Sequence, residues 1–251
     1  MLISIITVCY NSEKFILDNI KSIDSQTSKN IEHIVIDGGS TDNTLNLLNV
    51  NKKPYRHIYS EPDNGIYDAM NKGILKSNGD IIAFLNSDDV YNSDDIIEKV
   101  LSRFESSNLD CIWGDISYIE RVFTNIQNRR LWISSDYNKS KLLRGWSPPH
   151  PAFFLKSNIY LQNNNFNCKF KIAADYDLML RILLLPTVKR KYFPLTIVKM
   201  RVGGFSNNSI YGLIRQNKEI LISLKENRIV INPFIFLFLK FLYKLQQFKF
   251  F

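Results

Sequence analysis

The chain has few cysteines and no recognisable targeting segment. Its 251 residues include three cysteines, Cys9, Cys111 and Cys168, which cannot all pair and show no metal-ligand spacing. A reduced, cytoplasmic compartment is therefore predicted. Met1 runs directly into an apolar segment typical of a strand, so no secretory signal is expected before it.

The sequence also lacks a long flexible linker, an internal repeat and a recognisable nucleic-acid-binding module. Its length suits one α/β domain with an appendage. The formal net charge of +8 indicates an anionic partner. Because the basic residues are scattered, a negatively charged membrane surface is favoured over nucleic acid.

Strand and helix patterns alternate in the first half of the chain. Residues 2–9 and 31–36 are apolar and rich in β-branched side chains, and each segment is followed by turn residues and then by apolar residues at helical spacing. This alternation predicts an α/β fold with a mainly parallel central sheet flanked by helices. Ligands of such folds bind beyond the carboxyl ends of the strands.

A pair of acidic residues follows one predicted strand. Residues 80–85 are mostly apolar, and Asn86, Ser87, Asp88 and Asp89 come directly after them. Adjacent carboxylates repel each other unless a cation lies beside them, and a hard divalent ion that carries a diphosphate meets that need. The pattern predicts a metal-dependent nucleotide-sugar site. The alternative is an exposed turn that caps the next helix.

Two further polar segments suit a nucleotide. In residues 37–42, Gly38 permits close backbone approach and Asp37 can accept hydrogen bonds from a base or ribose. In residues 60–74 a polar turn opens a helix on which Asp68 and Lys72 lie one turn apart, within reach of a diphosphate. An ordinary capped turn and a solvated helix face are the alternatives.

Taken in order, residues 7–11, 37–42, 63–73 and 79–89 resemble the signature of family-2 glycosyltransferases with the GT-A fold, of the bacterial O-antigen and capsular polysaccharide type. The resemblance covers about residues 1–205. It implies a nucleotide-diphosphate sugar donor, in particular a UDP-sugar, a divalent metal such as Mn²⁺ or Mg²⁺, and inversion at the anomeric carbon.

The resemblance also assigns roles to residues of the first half. Asp88 and Asp89 are the implied metal ligands. The implied donor-binding residues are Thr7, Tyr10, Asn11, Asp37, Gly38, Asp68, Lys72, Asn86, Ser87 and Asp88. Two positions depart from the pattern: many relatives have Asp where this chain has Asn86, and many have Arg where it has Met70. The diphosphate charge must then be met by the metal, by Lys72 or by a residue not yet placed.

Three residues of the second half are further candidates. Asp175 lies at a predicted helix start, where acids are favoured by the helix dipole; the resemblance instead implies that it is the general base. His150 lies in a proline-rich loop near the implied acceptor pocket and either binds acceptor or diphosphate or makes a structural hydrogen bond. Arg201 either faces the diphosphate or forms a structural salt bridge.

The C-terminal segment predicts an amphipathic helix. Asn232 is a good N-cap and Pro233 suits the first helical position, while Lys240 and Lys244 share one face of an otherwise apolar stretch. A membrane-spanning helix needs about 20 apolar residues, so a helix that lies in the membrane interface is predicted. The alternative is packing on the domain or on a second subunit, which would make a homodimer.

These observations predict a GT-A domain over residues 1–205, with a nucleotide-sugar half at 1–110 and an acceptor half at 111–205, and a C-terminal helical segment at 206–251. The predicted function is sugar transfer from a UDP-sugar to a lipid-linked oligosaccharide in bacterial surface polysaccharide biosynthesis, by a protein bound peripherally to the inner face of the plasma membrane. The alternatives are a nucleotidyltransferase that makes a sugar nucleotide and a non-catalytic sugar- or lipid-binding module.

Overall fold

The computed structural model describes residues 1–122, 125–202 and 210–247, and it has the predicted α/β architecture. The strands are β1 (Ile3–Cys9), β2 (Ile31–Asp37), β3 (Arg56–Ser60), β4 (Ile81–Phe84), β5 (Val90–Tyr91), β6 (Cys111–Val122), β7 (Asn125–Trp132), β8 (Phe153–Lys156) and β9 (Arg190–Arg201). The helices are α1 (Ile16–Asp24), α2 (Thr44–Val50), α3 (Ile66–Lys76), α4 (Ile96–Ser107), α5 (Lys139–Leu142), α6 (Ser157–Gln162), α7 (Ala174–Leu184), α8 (Ile210–Glu226) and α9 (Pro233–Gln246).

The strands form one sheet in the order β3-β2-β1-β4-β8-β6-β9-β5, and β7 pairs with β6. Strands β3, β2, β1 and β4 are parallel. Antiparallel pairs begin where β8 joins β4 and β6. The predicted mainly parallel sheet is therefore confirmed for the first half, and the carboxyl ends of β1, β2 and β4 lie at one edge.

Both faces of the sheet are covered. Every residue of β1 is buried, and neighbouring residues point to opposite faces: Ile6 packs in a cluster with residues of α3 and α7, and Ile5 packs in a cluster with residues of α4. This explains why the strand reads as a continuous apolar run instead of an alternating one.

Residues 113–122 and 125–132, whose sequence matches neither a strand nor a helix pattern, form most of the antiparallel pair β6 and β7. Further along the chain, α8 and α9 pack on the main domain, where Ile220, Leu224 and Phe236 are buried in the same cluster as Ile6. Asn232 caps α9 as predicted, because its side-chain oxygen accepts hydrogen bonds from the backbone N–H groups of Phe234 and Ile235 at 3.0 and 3.2 Å.

One face of α9 agrees with the expectation and the other does not. The outer face is apolar and exposed, as predicted, and it consists of Phe234, Ile235, Phe238, Phe241, Leu242 and Leu245. Lys240 and Lys244 do not border this band in solvent; they are only partly exposed and lie on the side of Phe236, which faces the domain. No helix within the described ranges is long and apolar enough to cross a membrane.

Candidate active site

The carboxyl ends of β1 and β2 carry interlocked loops. Asn11, in the left-handed region at φ 48°, donates its backbone N–H to the Ser40 hydroxyl at 2.8 Å, and its side-chain oxygen accepts from the Thr41 N–H at 2.9 Å. Gly38 packs so closely on Asp63 that a Cβ there would overlap the carboxylate. The ring of Tyr10 is largely exposed above these loops, which suits stacking on a base.

Two of the predicted donor-binding residues lie beneath this surface. Asp37 is fully buried and accepts hydrogen bonds from the backbone N–H groups of Gly39 and Ser40 and from the Ser60 hydroxyl at 2.7 Å. Thr7 is also fully buried, with its hydroxyl 3.0 Å from His33 Nε2. The Asp37 side chain therefore organises the loop after β2, while Thr7 bonds to the neighbouring strand. The contacts of both residues with a base stay predictions.

The acid pair lies just beyond β4. Asp89 is almost completely buried, and Asn86 donates from its amide to Asp89 Oδ2 at 3.2 Å. The turn is fixed from below by Asn19 of α1, which donates to the backbone oxygens of residues 86 and 89 at 2.8 and 3.0 Å. The Ser87 hydroxyl lies 2.9 Å from that of Ser12, which ties this turn to the loop after β1.

The electrostatics of this turn favour a cation. Burial raises the pKa of Asp88, and burial together with the charge of Asp88 raises the pKa of Asp89 well above its usual range. Within the described part of the chain, Asp89 Oδ1 and Asn86 Oδ1 are buried without a hydrogen-bond partner. A buried oxygen without a partner is costly, and a divalent ion would supply the missing positive charge.

The residues present fit such an ion only together with a ligand. Over the described ranges, no group of three or more His, Cys, Asp or Glu side chains is placed to hold a metal alone. Mg²⁺ and similar ions are commonly held by one or two carboxylates plus substrate phosphates, and Asp88 and Asp89 provide that number.

The cations predicted to face the diphosphate are engaged by protein groups. Lys72 lies 3.0 Å from the Glu61 carboxylate and 3.6 Å from that of Asp68. Arg201 donates to the Asp88 backbone oxygen at 3.1 Å and pairs with Asp18. Arg201 thus lies beside the acid pair, while the charge of Lys72 is balanced by the carboxylates of Glu61 and Asp68. Contacts of Lys72, Asp68 and Arg201 with a ligand stay predictions. Residues 203 and 204, both glycines, lie outside the described residues.

Asp175 lies in the first turn of α7, as predicted. The Tyr67 hydroxyl bonds both to its carboxylate at 3.1 Å and to the Ile172 backbone oxygen at 2.8 Å. Burial and the charge of Asp175 raise the pKa of Tyr67 well above its usual range, so this phenol stays a hydrogen-bond donor. Asp175 itself is partly exposed, which leaves its carboxylate accessible to a substrate.

An aromatic cluster connects Asp175 with β4. Phe166 packs 5.6 Å from the ring of Tyr67 and 5.2 Å from that of Phe84, and His150 stacks on Phe84 at 5.3 Å. Burial lowers the pKa of His150, while the charge of Asp175 opposes this effect. His150 Nε2 is buried without a partner in the described structure, and the contact of His150 with acceptor or diphosphate stays a prediction.

The sequence analysis missed the residues that hold the start of α7. Glu219 of α8 accepts hydrogen bonds from the backbone N–H groups of Lys171, Ile172 and Ala173 at 3.0, 2.8 and 3.0 Å. Asp177 accepts from the buried Ser223 hydroxyl at 2.7 Å. These partners lie more than 40 positions apart in sequence, so no local pattern indicates them. The other residue that holds Asp175, Tyr67, lies inside segment 63–73, which carried the resemblance to the family and could have indicated it.

A mainly parallel sheet with a buried acid pair at the end of β4 and a carboxylate at the start of α7 defines a GT-A type α/β protein. The chain belongs to glycosyl transferase family 2, because the model of that family matches residues 4–172. An uncharacterized glycosyltransferase of Mycobacterium tuberculosis is 31% identical over 189 residues, which cover 72% of this chain and 69% of that protein.

A second relative agrees with this membership, and two solved structures share the fold. A PGL/p-HBAD biosynthesis glycosyltransferase of Mycobacterium bovis is 29% identical over 196 residues, 76% of this chain and 73% of the relative. The crystal structure of S. aureus TarS 1-349 in complex with UDP-GlcNAc matches with a TM-score of 0.72 at 16% identity, over 100% of this chain and 73% of that one. The mannosyltransferase PcManGT from Pyrobaculum calidifontis, in complex with GDP-Man and Mn2+, matches with a TM-score of 0.66 at 14% identity. This match covers 98% of the present chain and 68% of PcManGT.

Proposed function

We propose that this family-2 glycosyltransferase is a metal-dependent, inverting enzyme that transfers a sugar from a nucleotide-diphosphate sugar, in particular a UDP-sugar, to a hydroxyl of a lipid-linked oligosaccharide in bacterial surface polysaccharide biosynthesis. The observation that carries the proposal is the acid pair beyond β4, where buried oxygens of Asp89 and Asn86 lack a partner within the described residues, together with the partly exposed Asp175 at the start of α7. The UDP-GlcNAc and the GDP-Man with Mn2+ bound to proteins of the same fold support the donor class and the metal.

Asp175 is the general base of the proposed reaction. Its carboxylate takes the proton of the acceptor hydroxyl while that oxygen attacks the anomeric carbon from the face opposite the leaving nucleoside diphosphate. The hydrogen bond from Tyr67 fixes the orientation of the carboxylate. One base and one leaving group are enough for a single displacement, so the anomeric configuration inverts.

The donor is held at the strand ends. Tyr10 lies where it can stack on the base, and Asp88 and Asp89 would hold a divalent metal between the protein and the diphosphate. When bound, that metal neutralises the charge that develops on the leaving group. The polar turn of Asn86 and Ser87 lies next to this position, within reach of the ribose or diphosphate.

The membrane-related part of the proposal rests on the exposed apolar face of α9. A helix with large exposed aromatic side chains can lie in the membrane interface without crossing it. This supports a peripheral position on the inner face of the plasma membrane and a lipid-linked acceptor. In this view residues 1–110 bind the donor, residues 111–205 bind the acceptor saccharide, and residues 206–251 provide membrane contact.

A donor panel tests the proposed reaction. Purified protein is incubated with UDP- and GDP-sugars and Mn²⁺ or Mg²⁺, and nucleoside-diphosphate release is measured with and without a lipid-linked acceptor. Asp175→Asn is expected to keep donor affinity while turnover falls by roughly 10²- to 10⁴-fold, the usual contribution of a general base. The exposed Asp136, changed to Asn, is the control and should behave as wild type.

Two results would count against this assignment. Loss of donor binding in Asp175→Asn would place that residue in the donor site or the fold instead of the catalytic step. Absence of any nucleoside-diphosphate release, with tight sugar binding retained, would favour the non-catalytic module. A nucleotidyltransferase is disfavoured because residues 7–12 lack the Gly-rich, basic phosphate loop that such an enzyme needs.

A further inference from the structure

The lysines of α9 occupy an unusual position. Lys240 lies against the loop before Trp146, where Gly145 adopts φ +94° and an added Cβ would come within 2.7 Å of Lys240 Cβ. Lys240 Nζ donates to the side-chain oxygen of Asn217 on α8 at 2.7 Å. These contacts fix α9 closely on the domain, with Lys240 turned inward.

Lys240 and Lys244 are neighbouring cations on α9. They are four residues apart and therefore share one helix face. Throughout the part of the chain that the structure describes, neither lysine forms an ion pair with a carboxylate. Turning two charged groups toward a protein surface and away from the solvent is unfavourable unless an anion compensates them.

The electrostatics agree with this geometry. Burial, aided by the charge of Lys244, lowers the pKa of Lys240 to about 8, and the charge of Asp175 opposes the shift. Burial and the charge of Arg130 lower the pKa of Lys244. Three cations from the β6–β7 hairpin and α9 thus influence one another at the edge of the region that contains Asp175.

The location indicates which anion would bind. In the proposed function, Asp88 and Asp89 at the end of β4 would hold the donor diphosphate through a divalent metal. The charge of Asp175 acts on Lys240, and the proposed reaction places the acceptor hydroxyl at Asp175. The opposite face of the same helix is apolar and exposed, and a helix with its side chains is about 10–12 Å across. Lys240 and Lys244 therefore lie on the domain side of a helix whose opposite side is apolar and exposed.

We propose that Lys240 and Lys244 bind the phosphate or diphosphate group that joins the acceptor saccharide to its lipid. This inference rests on the proposed function and specifies its acceptor. The lipid would lie along the outer face of α9, the phosphoryl oxygens would pair with the two lysines, and the saccharide would extend to Asp175. Lys240 and Lys244 both remain partly exposed.

Binding measurements test this without turnover. Calorimetry on the full chain would use farnesyl diphosphate as the lipid-phosphate probe, with farnesol, inorganic diphosphate and UDP with Mn²⁺ as comparisons. The variants are Lys240→Met and Lys244→Met, which keep a long side chain and remove the charge. Lys218→Met, at an exposed position of α8, is the matched control.

Farnesyl diphosphate is expected to bind the wild type and to bind each α9 variant at least about 10-fold more weakly, since each loses a charge-assisted hydrogen bond. Farnesol should be insensitive to both changes, and UDP with Mn²⁺ should keep its affinity. Lys218→Met should match the wild type. Because a desolvated charge is removed, the unfolding temperature of both α9 variants should be unchanged or higher, and Lys240→Arg should retain binding.

Two outcomes would overturn the inference. If the α9 variants weaken UDP while farnesyl diphosphate binds as before, the lysines serve the donor diphosphate. If inorganic diphosphate and farnesyl diphosphate bind all variants equally, the lysines bind no phosphate. Failure of the proposed function is distinguishable, since it would appear as absent donor turnover in the wild type whatever these affinities are.

Discussion

The buried position of Asp89 suits a metal ligand but makes the metal-free protein less stable at neutral pH. Burial and the neighbouring Asp88 raise its pKa well above the value for an unfolded chain. The folded state then binds more protons than the unfolded state, so in the metal-free protein this residue favours folding at low pH, and its contribution is lost as the pH rises through the folded pKa. At neutral pH the acid pair therefore destabilises the metal-free folded state, and a bound cation would offset that cost.

Asp89→Asn should therefore stabilise the metal-free protein at neutral pH while it removes the response to metal. Each kcal/mol gained raises the unfolding temperature by about 2–4 °C in a domain of this size. The gain over wild type should shrink as the pH is lowered, because the wild-type carboxyl becomes protonated. Thermal unfolding with and without MnCl₂ and UDP measures both effects; a variant that is still stabilised by Mn²⁺ and remains active would remove Asp89 from the metal site.

The sequence does not predict which side chains of the site are buried. The acid pair and Asp175 lie where the segment order indicates, since strand ends and helix starts are local patterns. Thr7 and Asp37 are fully buried instead, and a strand covered on both faces gives no alternation from which to read which side chain reaches the surface.

At the scale of elements, the orientation of α7 depends on α8. Glu219 accepts three backbone N–H groups directly before Asp175 and also pairs with Arg215 at 3.0 Å. Burial opposes ionisation of Glu219, but these hydrogen bonds outweigh it and lower the pKa of this carboxyl group. The helix that carries the proposed base is thus positioned by a residue outside the segment that the family model matches.

Glu219→Gln keeps the shape of the side chain and removes its charge. The loss of charge-assisted bonds to three N–H groups should destabilise the protein by about 1–3 kcal/mol and lower kcat more than the affinity for donor, because Asp175 is displaced while the acid pair is not. Chemical denaturation and steady-state kinetics measure these effects. Glu226→Gln, at an exposed position near the end of α8, is the control; equal effects of the two changes would exclude a positioning role.

The elements themselves were predictable where their signals are local. Asn232 begins α9 through bonds that reach only two and three residues along the chain, and the helices after β1 and β2 follow apolar spacing. The β6–β7 hairpin was not assigned, because its irregular alternation of apolar and polar residues matches neither the strand nor the helix period. The contacts between α7 and α8 join residues remote in sequence, which no single-sequence pattern encodes.

At the scale of the whole molecule, α9 has two distinct surfaces. Its inner face contributes Phe236 to the main core and turns Lys240 and Lys244 toward the domain. Its outer face leaves Phe234, the most exposed of its phenylalanines, and the adjacent aromatic side chains in solvent. Removing the whole helix would uncover the core, so the role of the outer face has to be tested with substitutions confined to it.

The double change Phe238→Gln and Phe241→Gln removes apolar area from this face and leaves the inner face intact. Burial of a phenylalanine side chain contributes about 1.5–3 kcal/mol, so flotation with vesicles of phosphatidylglycerol and phosphatidylcholine should show at least about 10-fold weaker binding. Transfer to a lipid-linked acceptor should fall with it, while hydrolysis of the donor by water stays near wild type. Leu161→Gln, at an exposed apolar position on α6, should change neither vesicle binding nor transfer.

If the double variant instead dissociates a dimer in sedimentation experiments while vesicle binding is unchanged, the outer face of α9 is a subunit interface and the proposed membrane contact is wrong.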